Sequence, residues 1–259
     1  MFELTDNTLR NAFSRAPHAA KIGFTLTISG AHMGRFKAAL LGLLAFAAVA
    51  ECGAAPALTE GRDYFLVSPV QRTSVPAGKV EVMEVFSYGC PACNEFAPVM
   101  EKLKKSLPPN AQVVYLPAAF IPSEDWPMLQ RAYFAAQALG IADRTHQAMF
   151  DAVWKTQELS ISDPTTHRLK NPLPSIEDAS RWYARTAGVK AEDFLAAAKS
   201  FGVDVKMKSA DAQIIAMHTD STPTLIINGK YRLTPQMVGG YDQLVQAVKV
   251  LVEKESAQK

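Results

Sequence analysis

One run of the chain constrains its fold more than any other: a strand, a two-residue break, and a Cys-x-x-Cys that opens a helix. Lys79 to Ser87 alternates, with Val80, Val82, Glu84 and Phe86 on one face and Glu81, Met83 and Val85 on the other, which predicts a strand. Tyr88-Gly89 breaks it and Cys90-Pro91-Ala92-Cys93 follows. Phe96, Val99, Met100, Leu103 and Leu107 then recur at helical spacing until Pro108-Pro109 stops the helix.

A thiol at such a junction meets unpaired backbone N–H groups and the positive end of the helix dipole, which favour its thiolate. Cys90 is therefore the expected nucleophile. Cys93 lies one helical turn inward, close enough to form a disulfide with Cys90 yet shielded from a bulky partner. Pro91 takes the first helical position, where no N–H is needed. The competing reading, half of a structural zinc site, lacks a second cysteine pair, and His146, His167 and His218 stand at no ligand spacing. No metal is expected, and the three histidines are expected at the surface. Glu84 interrupts an apolar strand face shortly before Cys90. If buried, it should have a raised pKa and could exchange a proton with Cys93; a strand-end acid reaching water is the other reading.

Ala111 to Leu116 reads as a second, buried strand. The middle of the chain turns helical: Leu129, Tyr133, Ala136 and Leu139 form a stripe ending at Gly140, and Ser175 to Asp178 resembles a capping box for a helix that carries Trp182 and stops near Gly188. A third stripe runs through Phe194, Leu195, Ala198 and Phe201 to Gly202, and a further helix is expected from about Val205 to Met217. Residues 160–174 read as a loop. Thr224 to Ile227 and Lys230 to Leu233 flank Asn228-Gly229, the strongest short hairpin signal, and Tyr241 to Glu253 forms a last amphipathic helix. This order predicts one α/β composite domain whose sheet is interrupted by a helical insertion.

With 48% hydrophobic and 20% charged residues among 259, the chain can bury a sizeable core. The formal charge of +2 is local: residues 1–50 hold five basic residues against two acids, which leaves the remainder slightly acidic and without the basic footprint of a nucleic-acid binder. Met33 to Lys37 followed by the apolar run Ala38 to Ala50 reads as a signal peptide (33–50), too short to span a bilayer comfortably. Export to an oxidising compartment, most simply a bacterial periplasm, is expected, with Met33 as the true start and 1–32 a mis-assigned upstream extension. Glu51 directly before Cys52 argues against lipid anchoring there. Residues 51–78 form an extended N-terminal segment.

Glu84 to Phe96, with its Cys90-Pro91-Ala92-Cys93, together with Ser221-Thr222-Pro223-Thr224 before the hairpin, resembles the periplasmic thiol:disulfide interchange proteins of the DsbA family, in the thioredoxin superfamily. The resemblance covers about residues 60–255. It implies a thioredoxin-like fold in two halves, 79–125 and 218–259, around a helical domain at 126–217. It implies a thiol-disulfide oxidoreductase that donates its Cys90-Cys93 disulfide to reduced exported proteins, needs no other cofactor, and is reoxidised by a DsbB-type membrane quinone oxidoreductase. Glu84 would be the family's buried acid, and Pro223 a cis-proline facing the cysteines, with the Thr222 backbone offered to an extended substrate segment. A reductase or disulfide isomerase of the same superfamily, or a binding module with a structural disulfide, are the alternatives; no dimerisation domain is evident, so a monomer is expected. Two departures stand out: Ala92 replaces the histidine of familiar members, and residues 117–127 hold no lysine to pair with the acid.

Overall fold

The computed structural model describes residues 57–258. The expectations for the upstream extension, the signal peptide and Cys52 lie outside them.

Strand β1 is Phe65–Leu66, β2 Val80–Phe86, β3 Ala111–Pro117, β4 Thr224–Ile227 and β5 Tyr231–Leu233. They form one sheet in the order β1-β5-β4-β2-β3, in which only the β2–β3 pairing is parallel. Helix α1 (Pro91–Ser106) makes the crossover between those two parallel strands. Because β2 lies inside the sheet with packed layers on both faces, all seven of its residues are buried, Glu81 and Glu84 included. Val80 and Val82 enter one core with Phe96, Met100 and Leu103 of α1 and with Leu244, Val248 and Leu251 of the last helix. Met83 and Val85 enter a second core, built largely by the helical insertion. Phe86 departs from the expected alternation: as the last residue of the strand, it packs against Tyr88, Tyr133, His146 and Phe150 of that second core. Buried Glu81 is held by the N–H and hydroxyl of Ser74, each 2.7 Å from Oε2.

Helices α2 (Trp126–Ala138), α3 (Ala142–Trp154), α4 (Ile176–Ala187), α5 (Ala191–Ala198) and α6 (Phe201–Ala216) all lie between β3 and β4. The capping box at Ser175 forms as its residues suggest: Ser175 Oγ accepts from the Asp178 N–H, Asp178 accepts from the Ser175 N–H, and Gly188 ends α4 at φ 69°. Two boundaries differ from expectation. The stripe through Phe201 breaks at Ser200, whose side chain accepts from the Val203 N–H and caps α6, so Phe201 begins a new helix and points to water. Helix α3, with Thr145, Met149, Phe150 and Val153 buried, was concealed by the polar residues between them.

After β5 come the short α7 (Pro235–Val238) and α8 (Tyr241–Ser256). Asn228 and Gly229 turn the β4–β5 hairpin at φ 51° and 67°. Position 229 admits only glycine, since a Cβ there would sit 2.1 Å from the Gln71 carbonyl oxygen. Glu255, buried on α8, accepts from Asn228, Lys230 and Tyr231 and ties that helix to the hairpin. No helix among the described residues is long and apolar enough to cross a membrane.

Candidate active site

The C-terminal ends of β2 and β3 and the N-terminal end of β4 meet at one end of the sheet, because β4 runs antiparallel to the other two. Cys90 stands there as the N-cap of α1, with extended backbone (φ −88°, ψ 119°) and Pro91 as the first helical residue. Its N–H reaches the Ser87 carbonyl at 3.1 Å, and its own carbonyl accepts from Asn94 N–H at 3.1 Å. Gly89 is demanded by close approach: a Cβ there would lie 2.7 Å from Nε1 of the buried Trp126. Two further contacts hold the loop from outside it. Trp154 Nε1 donates to the Tyr88 carbonyl at 2.8 Å, and the Tyr241 hydroxyl donates to the Ala92 carbonyl at 3.1 Å.

Both cysteines are free thiols, and their surroundings differ. Cys90 keeps 6% exposure while Cys93 is fully sealed. The Cys90 thiol is pulled down to about 6, first by the hydrogen bond from the Cys93 thiol. Burial opposes this, and the Thr222 side chain and the N–H groups of Cys93 and Ala92 support it. Cys93 is pushed well above the usual thiol range by its burial and by its hydrogen bond to Cys90. The two sulfurs are therefore polarised in opposite directions, a nucleophile and its protonated partner.

Across from Cys90 lies the segment before β4. Sγ of Cys90 is 3.4 Å from the Thr222 carbonyl oxygen, and the Thr222-Pro223 peptide is cis. Residues 132 positions apart in sequence thus share one site. Glu84 does not reach water: it is 2% exposed in β2, directly opposite Tyr115 of β3 and Leu225 of β4. Burial first, then the charges of Cys90 and Glu101, push its carboxyl up to about 8. No ion pair among the described residues involves Glu84.

Of the three histidines expected at the surface, His167 and His218 are exposed. His146 is not. It is 7% exposed, its Nδ1 hydrogen-bonds with the Tyr88 hydroxyl at 2.9 Å, and it sits among Phe86, Tyr115, Tyr133 and Phe150. The physical reason is its place on the inner stripe of α3, one residue from Thr145 and three from Met149. The same stripe was the signal that could have revealed both the helix and the histidine. Nothing in the sequence pattern marks Trp154 or Tyr241 as braces of the cysteine loop.

Comparison with known proteins agrees with this geometry. The family model described as Thioredoxin matches residues 75–247. The thiol:disulfide interchange protein DsbA of Pseudomonas aeruginosa is 30% identical over 199 residues, 77% of this chain and 86% of that protein. Its Burkholderia cepacia counterpart is 32% identical over 201 residues, 78% and 86% respectively. The crystal structure of Pseudomonas aeruginosa DsbA superposes with a TM-score of 0.66 at 30% identity, covering 78% of this chain and 96% of that one. Xylella fastidiosa oxidoreductase DsbA gives 0.67 at 28% identity, covering 78% and 99%. A cysteine pair at the mouth of a thioredoxin-like sheet, an insertion of helices between its halves, and this coverage of the relatives together make the chain a member of the DsbA family of thiol-disulfide oxidoreductases.

Proposed function

We propose that Cys90 and Cys93 form the exchanging disulfide, and that the protein donates it to reduced exported proteins in a bacterial periplasm. The observation that carries this reading is the opposite polarisation of the two thiols, with Cys90 at about 6 and keeping 6% exposure and Cys93 fully sealed. In the oxidised protein, a substrate thiolate attacks Cys90 Sγ, a bond forms between the two sulfurs, and the Cys90–Cys93 bond breaks with its electron pair on Cys93. Cys93 takes a proton, for which Glu84, protonated at neutral pH, is the near source. A second substrate thiolate then attacks the substrate sulfur and expels Cys90 as thiolate. The substrate has lost two electrons and the enzyme has gained them. A low Cys90 pKa favours this direction, because it makes Cys90 the better leaving group in the second step.

The Thr222 backbone, beside Cys90 Sγ, suits an extended substrate segment, with Pro223 next to it. A DsbB-type membrane quinone oxidoreductase would return the enzyme to its disulfide form, the two electrons passing to that partner's quinone, while this chain itself works through the Cys90–Cys93 pair with no metal or organic cofactor of its own. The protein acts as a monomer in this reading. The test is the redox state of Cys90-Cys93 trapped by acid and alkylation in freshly isolated periplasm. An oxidised pair is expected; a reduced one would point to reductase or isomerase work instead.

A further inference from the structure

A cavity of about 200 Å³ opens between the segment after β3 and the end of α6, lined by Ala119, Phe120, Asp211, Ile214, Ile215 and Thr219. It is smaller than the ~300–1,000 Å³ pockets that take whole small ligands, and so is sized for one side chain. Four of its six lining residues are apolar, and Ile215 on its rim is 74% exposed, an isoleucine left facing water at the end of a helix whose Ile214 is buried. Both walls lead directly to the redox site. Phe120 packs 6.4 Å from the Trp126 ring, which lies against Gly89 beside Cys90. Thr219 is three residues before Thr222, whose carbonyl lies 3.4 Å from Cys90 Sγ. Three residues of chain span at most about 10 Å. The rim is also acidic: Asp211 lines the cavity, and Asp220 is exposed next to Thr219.

We infer that this cavity is a side-chain subsite for the segment being oxidised: it takes one aliphatic residue lying within about four positions of the substrate cysteine, with a basic residue beside it favoured by the acidic rim. The inference rests on the disulfide-exchange reading above. The occupant follows from continuity, since a polypeptide bonded to Cys90 that runs along Thr222 toward Thr219 reaches the cavity within that distance. It also follows from charge, since the rim repels acidic neighbours. An exposed isoleucine here, unlike the exposed Phe201 at the other end of the same helix, borders a concave site.

The test uses dithiol peptides in which a single leucine is moved through the four positions on either side of the attacking cysteine, with serine or aspartate as replacement. Wild-type protein should oxidise dithiothreitol, which checks the redox reading by itself; failure there would remove the basis of the subsite. With peptides, one leucine position should stand out by about tenfold in kcat/KM over serine, the scale on which pockets tell side chains apart, and aspartate should be worse than serine. Ile215→Ser and the cavity-filling Ala119→Leu should each reduce that ratio to about twofold. Because the ratio is taken within one enzyme, any general loss of redox activity cancels. Phe201→Ser, on the same helix but away from the cavity, should keep the wild-type ratio. No preferred leucine position, or a preference that survives both cavity variants, would overturn the proposal while leaving the dithiothreitol result standing.

Discussion

The Tyr88 hydroxyl and Nδ1 of His146 lie 2.9 Å apart, joining the residue two positions ahead of Cys90 to the inner face of α3. The imidazole there is held neutral: burial first, then the charge of Lys104, push it down to about 3. An unfolded imidazole titrates near ~6.5. Between these values the unfolded chain binds a proton that the fold does not, so stability present above pH ~6.5 is lost as the pH falls toward 3, at about 1.4 kcal/mol per unit. Glu84 works in the opposite sense. Its carboxyl is raised from 4.5 to about 8, so the fold binds the extra proton, and stability present below pH 4.5 is lost as the pH rises through 8.

The two slopes offset each other between about pH 4.5 and 6.5, and the contribution of this pair should be nearly flat there. Glu84→Gln removes one of them. At pH 7 it should stabilise the protein by about 3 kcal/mol, the cost of keeping a carboxyl protonated some 2.5 units above its unfolded pKa. Below pH 6.5 the variant should lose stability on acidification more steeply than wild type. Urea titrations of both proteins from pH 4.5 to 8 decide the matter; identical profiles would mean that Glu84 titrates normally.

Glu84 and His146 also show how far the sequence was readable. A lone acid on an apolar strand face, six residues before a Cys-x-x-Cys, already posed the choice between burial and solvent. The strand pattern could not decide it, because that depends on β2 having neighbours on both sides and helices on both faces. His146 was misplaced for a related reason: Asp143, Arg144 and Gln147 around it dilute the apolar stripe, and only the packed ring cluster shows which side of α3 is inward. Local signals with their own chemistry were legible: the capping box at Ser175, the Asn228-Gly229 turn, and Cys90 at a helix start. The meeting of Thr222 with Cys90 is tertiary, and it was reached only through family resemblance.

The reduced protein should show two thiols of very different reactivity. Cys90, drawn down to about 6, should alkylate with a midpoint near that pH, while Cys93, raised and sealed, should react only on unfolding. Cys90→Ser should abolish peptide oxidation. Cys93→Ser should instead accumulate mixed disulfides, since Cys90 can still exchange but has no partner to displace the substrate. Mass spectrometry of alkylated peptides across pH 4–9 measures this, and equal rates for the two cysteines would contradict the assignment.

Gly89→Ala tests how tightly the cysteine loop is held. The added Cβ would meet Trp126 Nε1 at 2.7 Å and Leu129 Cδ1 at 3.2 Å. Trp126 is buried and its Nε1 donates to Glu124 at 3.1 Å, so the ring has little room to yield. Overpacking of this kind costs about 1–3 kcal/mol. A drop of that size in urea-unfolding free energy is expected; a neutral substitution would show that the loop can shift away from the ring.

Position 92 bears on the strength of the oxidant. Ala92 contributes its N–H to the Cys90 thiolate and its carbonyl to the Tyr241 hydroxyl, but no side-chain donor. What lowers the Cys90 pKa is mainly the Cys93 thiol, then Thr222 and two backbone N–H groups, all of which persist whatever side chain stands at 92. A histidine there would add a donor, and when protonated a positive charge, within reach of the sulfur of a residue that remains partly accessible. Such a charge-assisted contact is worth on the order of 1 to 2 kcal/mol. A dithiol oxidises more strongly as its reduced form is stabilised, and about 1.4 kcal/mol corresponds to roughly 30 mV for a two-electron couple. Ala92→His should therefore raise the reduction potential by some tens of millivolts and lower the Cys90 alkylation midpoint together with it. Glutathione-equilibrium titration of both proteins measures the first and alkylation the second. If the midpoint falls while the potential stays put, the oxidised form has been stabilised equally; if neither moves, Cys93, Thr222 and the backbone donors alone set the redox poise.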